Sequence, residues 1–316
     1  MERIVEFESE GTILRGKLFT PEGAGPYPVV VMAHGTSATI PMVLEQFALE
    51  LYRAGFMVLA YDHRNFGISD GEPRQQINPW TQARGYRDAL SFILSLPETA
   101  SERVAIWGDS FAGMQALVVG ALDPRIAAVV VLVPSCGEEL PPMEPTREHF
   151  EQIRKTFEYG DVSATSETTT GPLPVVSSDQ LGTPSLVEPI QAFRWFIEYG
   201  GRAGSGWQNR VTRVMPNTPV PFSPYLAAPF LKADLLMIVA PDDEMARANP
   251  YVSRATFDLV PGHKRWVEID GGHFGTLFYP GERFDRAISA KREFLVERLI
   301  NISARKSGEA AGAKRE

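Results

Sequence analysis

Near the start of the chain, apolar and polar positions alternate, and further on the apolar positions gather into short runs. Residues 3–7 and 14–19 show the period of two that is typical of a partly exposed antiparallel pair, with Glu10-Gly11 as the turn between them. The runs at residues 29–33, 57–61, 104–107, 127–133 and 235–239 are continuously apolar. Such runs predict strands buried on both faces of a parallel sheet, and residues 266–269 predict the last strand.

Segments with helical spacing lie between these strands. The pair Asn78-Pro79 predicts an N-cap followed by proline at the first helical position, and this helix should run to about Ser95. The other predicted helices cover residues 42–53, 110–121, 250–259 and 284–300. The resulting β-α-β-α succession predicts an α/β fold in which helices cover both faces of a mostly parallel sheet.

Residues 135–231 interrupt this rhythm, because they are rich in Pro, Gly, Ser and Thr and contain only short helical pieces such as residues 190–199. A structureless loop of this length is improbable inside a compact domain. We therefore predict an inserted cap over the carboxyl edge of the sheet, with a core formed by residues 1–134 and 232–302. The tail at residues 303–316 is low in hydrophobic residues, which predicts disorder.

The composition is that of an ordinary globular protein. With 316 residues, 44% of them hydrophobic, the chain has enough material for one large α/β domain with an insertion or for two small domains. Its formal net charge of −8 at pH 7 argues against a nucleic-acid partner, because phosphates bind to basic surfaces. The single cysteine, Cys136, excludes an intramolecular disulfide framework and a thiolate metal cluster, and we expect it to be a small core residue.

The N-terminal segment lacks the basic region and the apolar region of a signal peptide. No stretch of the chain reaches the roughly 18 apolar residues that a membrane-spanning helix requires. We therefore expect a soluble, cytoplasmic protein without a membrane span. The sequence leaves both a monomer and a homodimer open.

A buried strand leads directly into a helix at VAIWGDSFAG, residues 104–113, with Ser110 at the junction. A nucleophile at such a sharp strand-to-helix turn has a strained backbone, and the residues two before and two after it must be small. Gly108 and Ala112 meet this requirement, and Gly113 lets the helix pack closely. The turn would expose the serine hydroxyl and aim the helix N-terminus at a developing oxyanion. We predict that Ser110 is a catalytic nucleophile, and the alternative is a plain helix N-cap.

The segment His34-Gly35-Thr36 follows the first buried strand. In this architecture the loop at that point supplies one backbone N–H to the oxyanion, which we predict to be that of Thr36. The residue after the nucleophile, Phe111, supplies the other. Gly35 lets the backbone approach the reacting carbonyl, and we expect His34 to brace the loop rather than to transfer a proton.

The predicted base is His273, in the segment DGGHF that follows the last strand. The paired glycines let a short loop swing the imidazole over the sheet edge toward Ser110. His263, in a loop before the last strand, is the rival base, and His63 and His149 lie in less suitable contexts.

The acid that orients the imidazole should follow the fifth buried strand, where the chain offers Asp242, Asp243 and Glu244. Counted from the end of the strand, Asp243 falls where the loop has turned inward. We predict that Asp243 is the third member of the triad, with Asp242 as the alternative. An acid placed one strand earlier would be Glu138 or Glu139.

Several of these segments together resemble a known family. Residues 61–80 are similar to the D-x-R-G-x-G-x-S-x-G loop after the second parallel strand of many α/β hydrolases, and we expect Arg64 and Asp70 to form a buried brace there. HGT, RNFGISDGEPRQ, GDSFAGMQAL and DGGHFG, with the chain order Ser, Asp, His, resemble dienelactone-hydrolase-like esterases and fungal polyketide transferases or thiohydrolases. The resemblance covers about residues 1–135 and 233–300.

This resemblance implies an α/β-hydrolase fold with an inserted cap. It also implies a serine hydrolase that cleaves a carboxylic ester or thioester through an acyl-serine intermediate, with no metal and no organic cofactor. The alternatives are an acyltransferase with the same triad and a small peptidase or amidase. A non-catalytic binding protein of this fold would have a broken triad, whereas all three members are present here.

Aromatic residues are concentrated in the predicted cap, at Phe193, Trp195, Phe196, Tyr199 and Trp207. They indicate a pocket for the apolar or aromatic acyl group of a small-molecule substrate, with Trp195, Phe196 and Tyr199 as the predicted contacts. The same pattern is compatible with an aromatic core inside the cap itself.

Overall fold

The computed structural model describes residues 1–301 of the chain. The strands in this part are β1 (Glu2–Ser9), β2 (Thr12–Phe19), β3 (Tyr27–Ala33), β4 (Met57–Tyr61), β5 (Gln76–Ile77), β6 (Thr99–Asp109), β7 (Ala128–Leu132), β8 (Thr169–Leu173), β9 (Val211–Val214), β10 (Asp234–Val239) and β11 (Lys264–Glu268). The α-helices are α1 (Glu45–Arg53), α2 (Pro79–Leu94), α3 (Ser110–Leu122), α4 (Arg147–Tyr159), α5 (Ile190–Gly200), α6 (Pro224–Ala227), α7 (Pro250–Leu259), α8 (Gly272–Gly275) and α9 (Glu282–Leu295).

Eight strands form the central sheet, in the order β1-β2-β4-β3-β6-β7-β10-β11. β1 pairs antiparallel with β2, from Glu2 opposite Phe19 to Ser9 opposite Thr12, and β2 pairs antiparallel with β4. The remaining pairs are parallel, so the carboxyl ends of six strands meet at one edge of the sheet. This topology confirms the predicted mostly parallel sheet with an antiparallel pair at one side.

The sheet separates two apolar clusters. In β3, Val29, Val31 and Ala33 belong to one cluster, while Val30 and Met32 belong to the other, and all five side chains are fully buried. Complete burial of such a side chain contributes roughly 1.5–3 kcal/mol. Both faces of the strand therefore need apolar residues, which explains the continuous apolar runs in the sequence.

Cys136 lies in the first of these clusters and is buried, as predicted. Burial raises the pKa of its thiol to about 12, although hydrogen bonds with Ser253 and Thr256 act in the opposite direction. The thiol is therefore protonated at neutral pH and behaves as a small core residue.

The helix α2 begins as the sequence predicts, because the Asn78 side chain accepts hydrogen bonds from the backbone N–H groups of Trp80 at 3.1 Å and Thr81 at 3.3 Å. The helix predicted from residue 42 begins later, at Glu45. Val43 has a φ of 78°, in the left-handed region that ends regular helix, so a wide turn precedes α1.

The segment at residues 135–231 does not pack as one unit on the sheet edge. Helices α4 and α6 pack against the core helices α2 and α3 and join the first apolar cluster, while α5 joins the second. Strand β9 is the middle strand of a separate sheet in the order β5-β9-β8, so the segment also pairs with residues that follow β4. The division into a core and a cap therefore stays a prediction, and the segment has more regular structure than its composition indicates.

Guanidinium hydrogen bonds join α4 to the core. Arg84 on α2 donates to the carbonyl oxygens of Phe157 at 2.9 Å, Thr156 at 2.8 Å and Gly160 at 2.7 Å, which lie at the C-terminal end of α4. Carbonyl groups at a helix C-terminus lack the full set of helical partners, and the Thr156 carbonyl accepts from the N–H of Gly160 at 3.0 Å, so Arg84 acts as a side-chain cap.

Two further predictions concern the C-terminal tail and membrane-spanning helices. The tail predicted to be disordered, residues 303–316, lies outside the described residues. In residues 1–301, no helix has both the length and the apolar character needed to cross a membrane.

Candidate active site

Strand β6 ends at Asp109 and α3 begins at Ser110, with no loop between them. Ser110 has a φ of 49°, a left-handed conformation that is strained for a residue with a side chain. The turn is so tight that a Cβ added to Gly108 would lie 2.3 Å from the carbonyl oxygen of Ala112. A Cβ on Gly113 would lie 3.1 Å from Pro134 Cβ. The turn therefore needs small residues two positions before and after Ser110, as the sequence predicts.

His273 and Asp243 complete a hydrogen-bonded chain with this serine. His273 Nε2 lies 2.8 Å from Ser110 Oγ, and His273 Nδ1 lies 2.8 Å from Asp243 Oδ2 and 3.1 Å from Asp243 Oδ1. The side chains of His273 and Asp243 are each only 2% exposed. An ionised carboxylate at Nδ1 favours a proton on that nitrogen, which leaves Nε2 free to accept the proton of the serine hydroxyl.

The three neighbouring acids at the end of β10 have different partners. Asp242 accepts from the N–H of Gly271 at 3.1 Å, and the N–H groups of Gly272 and Gly271 hold the pKa of Asp242 below its ordinary value. Glu244 accepts from the N–H of His273 at 2.8 Å. Two of the acids thus bind the backbone of the histidine loop, and only Asp243 contacts the imidazole.

The glycines of the histidine loop adopt backbone conformations that other residues avoid. Gly271 has a φ of 105° and Gly272 a φ of 70°. A Cβ on Gly272 would also lie 2.3 Å from Glu244 Oε2. The paired glycines therefore give the loop both its turn and its close contact with the acid segment.

The other candidate residues of the triad lie elsewhere. His263 is 3.8 Å from Glu297, and His149 is half-buried at the start of α4. His63 is fully buried, and burial together with the nearby His34 lowers its pKa well below the ordinary value. Glu139 is exposed, and Glu138, discussed below, lines the cavity without reaching His273.

Thr36 and Phe111, the predicted oxyanion donors, both line the cavity into which Ser110 opens. Within residues 1–301 the backbone N–H of Thr36 has no hydrogen-bond acceptor. The N–H of Phe111 belongs to the first turn of α3, where helix geometry leaves N–H groups unsatisfied. Both donors are therefore free for an external oxygen.

The loop that carries Thr36 is held against the nucleophile turn. Gly35 N–H donates to Asp109 Oδ1 at 2.9 Å, and a Cβ on Gly35 would lie 2.9 Å from Asp109 Oδ2 and 3.0 Å from Ser110 Cβ. Glycine is thus needed here for close approach. His34 is buried, with Nδ1 3.0 Å from the carbonyl oxygen of Gly35 and Nε2 3.3 Å from Asp62 Oδ1, and its bracing role stays a prediction.

The brace predicted between Arg64 and Asp70 is wrong. Asp70 pairs with Arg15, and Arg64 donates instead to the carbonyl oxygen of Glu10 at 3.2 Å. The inward-facing acid of this loop is Asp62, whose oxygens accept from the N–H groups of Ile40 at 2.8 Å and Ile68 at 2.9 Å. Asp70 lies at the protein surface, where a guanidinium on the neighbouring strand reaches it more easily.

A buried lysine that the sequence analysis missed lies behind the nucleophile turn. Lys291 on α9 is fully buried, with Nζ 3.4 Å from the ring centroid of Phe47 and 4.7 Å from that of Trp107. Burial lowers the pKa of Lys291 well below its ordinary value. Burial of the nearby Asp109 carboxyl raises the pKa of that group. A signal was present, because Lys291 occupies a core position of the apolar stripe of α9, between Ile288 and Phe294.

A cavity of about 810 Å³ opens beside Ser110, Thr36 and Phe111. Much of its wall is apolar and comes from segments far apart in the chain, namely Ile77, Pro79, Trp80, Met114, Leu186, Val187, Pro189, Met215, Pro216, Pro221, Phe222 and Met245. Two stretches of the insertion line it, residues 186–189 and several residues between Arg213 and Phe222, so the insertion does contribute to the site. The apolar residues of these stretches lie among prolines and show neither a helical nor a strand period. The sequence pattern therefore did not identify them as cavity-lining residues.

The predicted substrate contacts from α5 do not line this large cavity. Trp195 and Phe196 border a small space of about 20 Å³ that Ser110 and His273 also line. Trp195 Nε1 donates to the carbonyl oxygen of Leu277 at 2.9 Å. Tyr199 is buried and lines neither space, and its hydroxyl bonds to the backbone N–H of Tyr279 at 2.7 Å. This packing corresponds to the alternative of an aromatic core, which here includes the loop after His273.

Comparison with known proteins agrees with this architecture. A family model described as "alpha/beta hydrolase fold" matches residues 28–280. The thiohydrolase apmlB of Arthrinium phaeospermum is 34% identical over 160 residues, which are 50% of this chain and 48% of that protein. The polyketide transferase af380 of Aspergillus fumigatus is 26% identical over 298 residues, which are 93% of this chain and 98% of that protein.

Solved structures show the same fold. The structure described as DcsB in complex with its substrate analogue superposes with a TM-score of 0.70 at 23% identity, over 95% of this chain and all (100%) of that one. Because the family model spans well over half of the sequence, the chain belongs to the α/β hydrolase fold family.

Proposed function

We propose that this protein is a serine hydrolase that cleaves a carboxylic ester or thioester through an acyl-serine intermediate. The observation that carries the proposal is the hydrogen-bonded series Ser110–His273–Asp243, buried at a strained strand-to-helix turn and open to a large cavity. Strain of this kind persists where the surroundings enforce it, and it clusters at active sites.

In the first half of the reaction, His273 Nε2 takes the proton of Ser110 as Oγ attacks the carbonyl carbon. Asp243 stabilises the imidazolium that forms. The carbonyl oxygen becomes an oxyanion, which accepts hydrogen bonds from the N–H groups of Thr36 and Phe111 at the N-terminus of α3. The proton on Nε2 then passes to the departing alkoxide or thiolate, and the acyl group stays on Ser110.

In the second half, water enters and gives its proton to His273 Nε2 as its oxygen attacks the acyl carbon. Collapse of the second oxyanion releases the carboxylic acid and returns the proton to Ser110. One aligned oxyanion donor is worth about 10²–10³-fold in kcat. Since the backbone N–H groups are held by the turn and by the Gly35–Asp109 contact, they need no reorganisation during the reaction.

The apolar cavity wall favours a small-molecule substrate with an apolar or aromatic acyl group. Trp80 and Phe222 pack edge to face at 4.9 Å in this wall, and Met114 on α3 lies beside the nucleophile. The names of the relatives, thiohydrolase and polyketide transferase, support a thioester as the substrate. Trp195 and Phe196 remain as proposed contacts only for a group that enters the small space next to His273.

A second candidate function is acyl transfer to an alcohol or amine with the same triad. The polyketide transferase relative favours it, because that protein aligns over 98% of its own length. The cavity of about 810 Å³ is also large enough for an acyl chain and an acceptor together. The two functions differ in whether free acid or acylated acceptor accumulates when an acceptor alcohol is added.

The test is labelling with a fluorophosphonate probe, together with turnover of p-nitrophenyl esters and S-acyl pantetheine thioesters. We expect the wild type to be labelled and active, and Ser110→Ala to lose both labelling and turnover. Ser135→Ala is the matched control for the site of labelling, because Ser135 Oγ lies 3.5 Å from Ser110 Oγ and is the neighbouring hydroxyl. Labelling that survives in Ser110→Ala but disappears in Ser135→Ala would place the nucleophile elsewhere and refute the proposal.

A further inference from the structure

The cavity beside Ser110 contains two guanidinium groups that the triad chemistry does not use. Arg213 and Arg247 both line it, among mostly apolar residues. Arg213 is half-buried and Arg247 is exposed. A charged side chain loses hydration only where it is buried, and there it needs a partner. The next question is therefore whether carboxylates of the protein pair with these two arginines.

Arg213 lies on a rigid backbone. It is in the middle strand β9 of the small sheet, opposite Ile77 of β5 on one side and Thr170 of β8 on the other. Its Nε is buried and has no hydrogen-bond partner within residues 1–301. A guanidinium with an unsatisfied N–H directed into protein is unusual, since it loses the hydrogen bonds that water would supply.

Arg247 lies in the segment after β10 that also carries the triad acid. Its carbonyl oxygen accepts from the N–H of Gly137 at 2.9 Å, and Asn249 Nδ2 donates to the carbonyl oxygen of Glu138 at 2.8 Å. Two contacts with the segment after β7 thus fix this backbone. Desolvation by the cavity wall and the positive charge of Arg213 lower the pKa of Arg247, so the two cations lie close enough to repel each other.

The carboxylates of the same cavity do not neutralise this pair. Glu138, Glu188 and Glu244 line the cavity, yet in residues 1–301 no carboxylate oxygen lies within 4.0 Å of either guanidinium. Glu244 is bonded to the N–H of His273, and Glu138 acts on Arg247 only through its more distant charge. Two cations without a carboxylate partner in one cavity, one of them with a buried and unsatisfied N–H, are the arrangement expected where a ligand supplies the anion.

We propose that Arg213 and Arg247 bind an anionic group of the substrate, a carboxylate or a phosphate, while Ser110 attacks the ester or thioester carbonyl of the same molecule. The inference rests on the proposed function, and it adds the substrate class. A planar guanidinium donates two parallel hydrogen bonds to an oxyanion, and strand β9 holds the backbone of Arg213 in place for this contact. The anion has two possible sources, which are a carboxylate at the far end of the acyl chain and a phosphate on the thiol leaving group.

Matched substrate pairs separate the two sources. Mono-p-nitrophenyl adipate against p-nitrophenyl hexanoate tests a carboxylate on the acyl chain at equal chain length. S-hexanoyl phosphopantetheine against S-hexanoyl pantetheine tests a phosphate on the leaving group. The variants are Arg213→Gln and Arg247→Gln, and Arg210→Gln is the control, because Arg210 is exposed and lies outside the cavity lining.

We expect the wild type to prefer the anionic member of one pair by at least about tenfold in kcat/KM, which corresponds to one strong charge-assisted hydrogen bond. Arg213→Gln and Arg247→Gln should each remove most of that preference by raising KM, and they should change turnover of the neutral member by less than about twofold. Arg210→Gln should behave as the wild type. An Arg213→Lys variant keeps the charge and should keep part of the preference, which guards against a folding defect in Arg213→Gln.

Two results would overturn the inference. One is a wild type that hydrolyses both neutral esters with no preference for either anion, which leaves the proposed function intact. The other is an equal loss of turnover on neutral and anionic substrates in the Gln variants, which indicates a structural role. If no ester is hydrolysed at all, the proposed function fails, and calorimetric binding of monomethyl adipate against dimethyl adipate to Ser110→Ala still decides the inference. Equal binding of the two would refute it.

Discussion

Replacement of the buried lysine behind the active site, Lys291→Met, is expected to stabilise the protein. Met has a similar length and volume, so it fills the same space. The Lys291 amine has no hydrogen-bond partner within the described residues, and a buried polar group in that state costs about 1–3 kcal/mol. Its contact with the rings of Phe47 and Trp107 returns about 0.5–2 kcal/mol, part of which the Met sulfur retains. We therefore expect a net gain of roughly 1 kcal/mol near pH 7.

The gain should depend on pH in a definite direction. The pKa of Lys291 is lowered in the folded protein, and the unfolded chain keeps its proton to about pH 10.4. Between the lowered folded pKa and the unfolded pKa, the unfolded state binds more protons, so wild-type stability rises with pH in this window. The advantage of Lys291→Met should therefore be largest below the folded pKa and should shrink as the pH approaches 10.4.

The assay is urea unfolding followed by tryptophan fluorescence at several pH values, with Lys155→Met as the control. Lys155 is exposed on α4, so its replacement should change the free energy of unfolding by less than about 0.5 kcal/mol and without this pH dependence. A Lys291→Met variant that is less stable than the wild type at pH 7, or whose advantage grows with pH, would show that the reasoning about the buried amine is wrong.

Four further substitutions test the site. Asp243→Asn should lower kcat by about 10³–10⁴-fold because the imidazole loses its orienting charge. Asp242→Asn should lower kcat by less than about tenfold, since Asn still accepts a hydrogen bond from the glycine N–H. If steady-state kinetics show equal mild effects for the two variants, another residue is the acid. Gly35→Ala should place a methyl group 2.9 Å from Asp109 Oδ2, and we expect roughly 1–3 kcal/mol lower stability together with reduced kcat, measured by thermal unfolding and ester turnover. Tyr199→Phe should cost about 1 kcal/mol of stability with kcat/KM nearly unchanged, and a large rise in KM would instead restore Tyr199 as a substrate contact.

The nucleophile turn could be read from the sequence because its constraints are local. Steric limits at a strand-to-helix junction act within two residues of Ser110, so small residues at positions 108 and 112 are visible in the sequence. The central strands were readable for a similar reason. Each is buried on both faces, and a strand in that position must be apolar throughout.

The acid segment shows where local reasoning stops. Asp242, Asp243 and Glu244 are adjacent and chemically alike, and each forms a different contact with the histidine loop. The direction of each side chain depends on how the end of β10 approaches a loop thirty residues away. Counting from the strand end favoured Asp243, yet only the tertiary structure shows that the other two bind backbone N–H groups.

The aromatic helix α5 could not be interpreted from its pattern, because an apolar stripe looks the same whether it faces a ligand or a neighbouring helix. The same limit applies to Lys291, whose core position was readable but whose burial behind Asp109 was not. The cavity and its two arginines depend on segments that meet only in the folded chain, since Ile77, Arg213 and Arg247 come from three separate loops or strands. The sequence alone determined the sheet, the turn and the chain order of the three proposed triad residues, because these follow from short-range sterics and burial. Tertiary structure decided which charges face the substrate, because that depends on long-range packing.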